Sequence, residues 1–426
     1  MKPRLSVWLD TRSAPVLATV ALLVLGMAYS LFWLEAVHGG PISLEVGSDL
    51  SSFVQSASAI GHGHFTGIYY PGSKLTSPPA LELTLVPVVG LAQALGLASH
   101  VHGGGFAGSF WLILGPVTIL LASTALFAID AVARRWGLGP PQRVALALIS
   151  AVGVADVAIY WGHPEVCVSL ALVLWAAVAV DRDGPDALGR AGWLLGLAVA
   201  FQPLAILGVA PILARYNWRV WLRLSYRIVL PSVILLAAPF VAAPAHTWYV
   251  QLHEPFDLRF TSRTPLTHVA PSLGPGVRGG GPTRLLSTVL AVGLGLVVCR
   301  RRHALSVVLF ITAVGFTLRL LLESELTGYY FWPVIGLCLP LALRRGWFRF
   351  ALAAAAAWAT IDLGNHRVHV IGAWWPAIMA TTLVMVLAAV PAGLFRPVDG
   401  SSGKVGGEEG LGAEEPPTVE VMRRGE

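Results

Sequence analysis

Apolar residues fall along this chain in successive blocks of about 15 to 25, each closed by a short polar or basic connection. The blocks run approximately 14–36, 79–98, 108–130, 144–161, 165–181, 190–214, 226–243, 285–299, 304–322, 329–343, 350–363 and 371–394. Runs this long and this poor in charge predict helices that cross a bilayer, and together they predict an all-α, polytopic transmembrane bundle of about 11–13 spans. Residues 1–396 form the expected integral membrane domain, with outer loops at 38–78 and 244–284. The stretch 397–426 is rich in Gly, Pro and Glu and has no apolar period, so a disordered cytoplasmic tail is expected there.

Two blocks admit two readings. The block 79–98 is either a full span or a helix that dips into the outer leaflet and returns. The block 190–214 is interrupted by Gln202 and Pro203, so it is either one kinked span or a tight hairpin. Positive charge arbitrates. Arg134, Arg135 and Arg143 lie between two blocks, as do Arg215, Arg219, Arg223 and Arg227, then Arg300 to Arg302, then Arg344, Arg345 and Arg349. All four clusters fall on the cytoplasmic side if 79–98 re-enters and 190–214 turns back, which gives about 12 crossings with both termini inside. Lys2, Arg4 and Arg12 hold the N-terminus on that side too, and the block after them is too long for the apolar core of a signal peptide.

With 55% of its 426 residues hydrophobic and 12% charged, the chain is too apolar for a soluble protein of its size. The net charge of +6 would point to nucleic acid in a soluble protein, but these cations sit in the loops between blocks and report topology, so no nucleic-acid partner is expected. Cys167, Cys299 and Cys338 are odd in number and lie inside apolar runs, which supports neither a disulfide framework nor a metal cluster. No Walker loop, dinucleotide fingerprint, zincin motif or nucleophile elbow occurs.

The candidate chemistry lies in the outer loops. The first holds Asp49, His62, His64, Tyr69, Tyr70 and Lys74. A carboxylate such as Asp49 is a general base if a substrate hydroxyl comes within hydrogen-bond reach, and Ser48 and Asp49 are equally suited to cap the stretch 50–60 as a helix. His163 and Glu165 either orient one another at an acceptor or form a polar turn whose Pro164 starts the next helix. Arg319 and Glu323 stand four apart near the outer end of a block, followed by Tyr329 and Tyr330. A guanidinium there is either a phosphate ligand, for which its planar fork is suited, or half of a structural bridge. In the second large loop, Trp248 and Tyr249 suit either a sugar-facing surface or an interfacial anchor, and 274–282 reads as a mobile lid.

Several of these segments resemble a known family. Asp49, the short helix after it with Ala57 and Ala59, then Gly61, Gly63, Gly67, Tyr69 and the Ser77-Pro78-Pro79 turn, are similar to the first extracytoplasmic loop of the family-87 glycosyltransferases of the GT-C superfamily. Gly192, Gly196, Phe201, Gln202 and Pro203 resemble a second segment of that family, in which a basic residue often stands where Gln202 stands. Gly162 to Glu165 occupies the place of a short polar motif between two spans. The resemblance implies an inverting transferase in a bacterial cytoplasmic membrane, with its active site on the extracytoplasmic side. It would move mannose or arabinofuranose from a polyprenyl-phosphate donor to a glycolipid or polysaccharide acceptor.

On that reading Asp49 is the catalytic base and Arg319 binds the lipid phosphate. Glu323 and Tyr329 orient, while Tyr70, Lys74, His163, Glu165 and Gln202 contact substrate. Much of the superfamily has two adjacent acidic residues in this loop, where this chain has Glu45 and Asp49 split by three residues. No metal or other cofactor is therefore assigned, with a divalent cation between those two carboxylates as the alternative. A transporter or flippase of a lipid-linked sugar, and a non-catalytic membrane partner of the same fold, are the rival readings.

Overall fold

An uninterrupted apolar run satisfies its backbone N–H and C=O groups without water only by coiling into helix, and the chain is a bundle of helices. The structure is a computed structural model that describes residues 4–30, 43–44, 48–69, 77–97, 106–182, 186–257, 259, 264–273, 276–301, 304–324, 326–365, 371–392 and 394. Residues 1–394 make one unit, and the expected tail at 397–426 lies outside the described residues. Five helices are long and apolar enough to cross a membrane: Ser109–Arg135, Pro140–Tyr160, Pro164–Asp181, Trp218–Ala242 and Gly280–Cys299. The only strands among the described residues are β1 (Ser43–Leu44) and β2 (Phe106–Ala107), an antiparallel pair with Ser43 opposite Ala107.

Side-chain bonds between α1 (Arg4–Ala28) and α4 (Gly108–Arg135) fix the two ends of the bundle. At one end Trp111 donates to Ser30 at 2.8 Å; at the other Arg12 donates to the Phe127 carbonyl at 3.4 Å. The two helices are therefore antiparallel, so α1 ends and α4 begins at the Ser30 end. Between them in the chain lie α2 (Ser48–Gly61) and α3 (Ala80–Ala94), and α3 is a shorter apolar helix of 15 residues whose Gln93 donates to Ser58 of α2 at 2.8 Å. The far end is basic. Arg143, in the first turn of α5 (Pro140–Ala155), holds Asp130 through two bonds of 2.6 and 3.0 Å, and Arg135 meets Asp181, at the end of α6 (Pro164–Asp181), at 2.5 Å.

The 190–214 block is a hairpin. Pro203 has no N–H to continue a helix and forces the residue before it out of helical geometry; Gln202 is extended, with φ −147° and ψ 111°. The block accordingly divides into α7 (Ala187–Phe201) and α8 (Ile206–Leu213). Ser169, in the second turn of α6, donates to Ala198 late in α7 at 3.0 Å, while Arg215, just past α8, donates to Val180 at the other end of α6 at 2.7 Å. The chain thus climbs α7 and descends α8.

Next come α9 (Trp218–Ala242), α10 (Gly280–Cys299), α11 (Leu305–Leu321), α12 (Trp332–Arg345), α13 (Trp347–Asn365) and α14 (Ile371–Ala388), which alternate between the ends. Arg284 pairs with Glu323 at the Asp49 end, Arg344 lies 4.9 Å over the Trp136 ring at the basic end, and Asn365 returns to bond Asp156. Val229, Ile234 and Val241 on α9, with Val289 and Val297 on α10, leave wide apolar faces uncovered. The three cysteines are buried free thiols.

Glycine sets the closest approach in this bundle. A Cβ on Gly196 would lie 2.3 Å from the Arg227 carbonyl oxygen and 2.9 Å from that of Ile228, both backbone atoms of α9 that cannot swing aside. Gly196→Ala should therefore destabilise the fold by about 1–3 kcal/mol, the usual range for overpacking. Gly293→Ala, where a Cβ meets nothing within 4 Å, should not. Thermal unfolding of both purified variants in detergent checks this, and an unchanged Gly196→Ala would disprove the contact.

Candidate active site

Three local structures converge at the Ser30 end of the bundle. The first is the start of α2, with Asp49 in its opening turn and Phe53, Val54 and Ala57 buried on one face. The second is the turn Trp161-Gly162-His163, in which Gly162 takes φ +71° and the His163 N–H donates to the Val157 carbonyl at 2.9 Å. Left-handed backbone at that position favours glycine because it lacks a Cβ. Pro164 then opens α6 and puts Glu165 in its first turn, where the helix dipole favours a carboxylate. The third is a 3-10 turn, Gly328–Phe331, that carries Tyr329 and Tyr330.

At the centre, His163 bonds two carboxylates. Its Nε2 lies 2.9 Å from Asp49 Oδ2 and its Nδ1 2.6 Å from Glu165 Oε1. Both carboxylates are acceptors, so the ring donates from both nitrogens only as imidazolium. Burial alone would favour the neutral ring, but Glu165 and Asp49 outweigh it and His163 is pushed up from 6.5 to about 9. Tyr329 stacks on the imidazole with centroids 3.8 Å apart at 24°, and Phe53 meets it edge-on at 5.9 Å. The side chains are 8% (His163), 3% (Glu165) and 23% (Asp49) exposed, so Asp49 is the member a substrate can reach.

A second charged group is connected through the two tyrosines. Tyr329 and Tyr330 share a hydrogen bond, and burial raises the pKa of both phenols. Beside Tyr330, Glu323 accepts from Arg284 at 2.9 Å, from the Ser324 N–H at 2.9 Å and from the Ser324 hydroxyl at 3.2 Å, and it is bonded to Arg319 as well. Arg319 is 5% exposed and its Nη1 has no hydrogen-bond partner. A third set joins from behind: Asn365 donates to Asp156 at 2.6 Å and accepts from Trp161 at 3.0 Å, and Trp161 packs against Tyr329 at 5.8 Å.

Asp49, His163, Glu165 and Tyr329 thus form one contacting group, with Arg319 and Glu323 in its neighbour. Gln202 shares a cavity of about 20 Å³ with Tyr330, Ser169 and Phe316. Tyr70, Lys74 and Glu45 lie outside the described residues. Asp49 stands in the first turn of α2 and also reaches across the bundle to His163. Trp248 and Tyr249 are exposed, and α10 already begins at Gly280, inside the stretch expected to be a mobile lid.

Arg284 carries no mark in the sequence beyond its place after a glycine-rich run; Asn365 and Asp156 likewise read as an ordinary loop end and a helix end. Glu82 is fully buried with neither oxygen hydrogen-bonded, and an acidic residue inside the 79–98 block was the signal for it. No family model matches the chain, and no curated protein or solved structure is significantly similar to it.

The His163 array has a defined pH signature. Because the folded value lies above the unfolded one, its stabilisation is complete below about pH 6.5 and is lost as pH rises through about 9. The melting-temperature difference between the wild type and His163→Asn should be largest near pH 6 and shrink toward pH 9.5. A difference that stays flat across this window rules out the imidazolium.

Proposed function

We propose that this protein is a multi-pass membrane glycosyltransferase of GT-C type that uses a polyprenyl-phosphate sugar as donor. It acts on the extracytoplasmic side of a bacterial cytoplasmic membrane and builds a glycolipid or polysaccharide. The observation that carries the reading is the partly exposed Asp49 carboxylate, hydrogen-bonded to a buried His163 and adjoining a pair of guanidinium groups. Asp49 takes the proton of the acceptor hydroxyl as that oxygen bonds the anomeric carbon from the face opposite the phosphate. The carbon–oxygen bond to phosphate breaks, its electrons leave with the polyprenyl phosphate, and the configuration inverts.

His163 and Glu165 hold Asp49 in one orientation, which is worth rate because a base must already point at its proton. Arg284 and Arg319 supply the cations for the departing phosphate, and of the two Arg284 is the more exposed, at 22% against 6%. The basic far end of the bundle faces the cytoplasm, and the uncovered faces of α9 and α10 face lipid.

Purified protein in proteoliposomes, given radiolabelled polyprenyl-phosphate mannose or arabinofuranose and a glycolipid acceptor, should transfer the sugar. Asp49→Asn should lower the rate at least about 100-fold without moving the melting temperature by more than a few degrees. Arg284→Gln should raise the KM for donor about tenfold and leave the acceptor KM unchanged. Normal turnover by Asp49→Asn defeats the assignment, and vectorial movement of intact donor without product replaces it with a flippase.

A further inference from the structure

The basic end of the bundle contains a feature separate from the Asp49 group. A cavity of about 280 Å³ opens there between the start of α11, the end of α12 and the segment after α14, lined by Ser306, Leu341, Arg344, Arg345, Pro391 and Ala392. That is close to the smallest pockets that hold small ligands, roughly 300 Å³. Three kinds of group face it, and all prefer an anion. No side chain caps the N-terminus of α11, a helix of 17 residues, so the positive end of its dipole lies at Ser306, in the cavity lining. Ser306 itself is 9% exposed, and its hydroxyl can donate to a phosphate oxygen. Arg344 and Arg345 bring two guanidinium groups that form no salt bridge with a carboxylate among the described residues; Asp181, the acidic residue that acts on Arg344, is already bonded to Arg135.

From this we infer that the cavity is a binding site for the phosphate headgroup of an anionic membrane phospholipid. The choice of a lipid over a soluble phosphate rests on the next residues in the chain. Trp347 and Phe348 follow Arg345 and Gly346 directly and are 52% and 81% exposed, an aromatic pair beside a cationic one, as at a bilayer interface. Arginine pairs next to such a surface attract anionic headgroups, and the uncapped amides with the Ser306 hydroxyl add the directional bonds that a diffuse basic surface lacks. The inference needs this end of the bundle to lie at a membrane surface and does not need the transferase reading.

Native mass spectrometry of the full chain released from nanodiscs tests it. With equal phosphatidylglycerol and phosphatidylcholine, the wild type should retain phosphatidylglycerol preferentially. The double variant Arg344→Gln, Arg345→Gln should lose that retention about tenfold. Arg300→Gln with Arg301→Gln, which removes the same charge elsewhere at that end, should retain as the wild type does. Ser306→Leu, which fills the cavity and keeps both arginines, should also lose retention, and equal melting temperatures confirm that each variant is folded. Equal loss in the Arg300 and Arg301 control, or no loss in Ser306→Leu, overturns the site. Competition by millimolar inorganic phosphate as effective as that by phosphatidylglycerol vesicles overturns the lipid as its occupant.

Discussion

A cation buried at the end of an apolar bundle has to be neutralised, and His163 is neutralised twice. Its two carboxylates come from opposite sides: Glu165 from the helix it introduces, and Asp49 from a loop helix 114 residues away. A carboxylate as buried as Glu165, left without the imidazolium, would carry the desolvation penalty of an uncompensated charge. The contact therefore pins α2 against the α5–α6 turn more specifically than apolar packing could, since grease has no direction. Tyr329 closes the third side of the ring and ties the 3-10 turn to the same point. The array as a whole is one negative charge in excess, and that excess sits on the exposed member, Asp49.

The neighbouring group has the opposite imbalance. Arg284 and Arg319 share the single carboxylate of Glu323, leaving one positive charge in excess across the two hydrogen-bonded tyrosines. Two adjacent sites of opposite sign attract one another, the more strongly in a medium of low dielectric, so each stabilises the unbalanced charge of the other. In the proposed reaction the negative site takes up a proton while the positive site takes up a phosphate, so each loses its imbalance as the bond to the sugar is exchanged.

Much of this was legible because an apolar chain makes its exceptions conspicuous. His163, Glu165, Arg319 and Glu323 stand out as polar residues at the ends of apolar blocks and Asp49 as a carboxylate in the first loop between them, and the arginine clusters sort the block ends into two groups. The return of the chain at Gln202 and Pro203 follows from the missing amide hydrogen of proline. What spacing could not express is which loops touch. Asp49 and His163, Arg284 and Glu323, and Asn365 and Asp156 are each partners across distant segments, fixed by bundle packing and by approaches such as that of Gly196 to the α9 backbone. Arg284 was hidden for that reason: on its own it is one more basic residue after a run of glycines, and only α11 beside it gives it a partner.

The Arg319–Glu323 pair shows how a third residue changes the meaning of a spacing. Two opposite charges four apart on a helix are self-sufficient, and a bridge that served only the fold would be complete with them. Arg284 reaches Glu323 from a different helix, and Arg319 is left with a buried Nη1 that nothing accepts from. Unused donor capacity on a buried guanidinium is destabilising unless a ligand fills it. An arriving phosphate would meet that nitrogen and the more exposed Arg284 together, and would free Glu323 from serving two cations at once. In the proposed reaction Glu323 would hold the two guanidinium groups together until the donor phosphate reaches them.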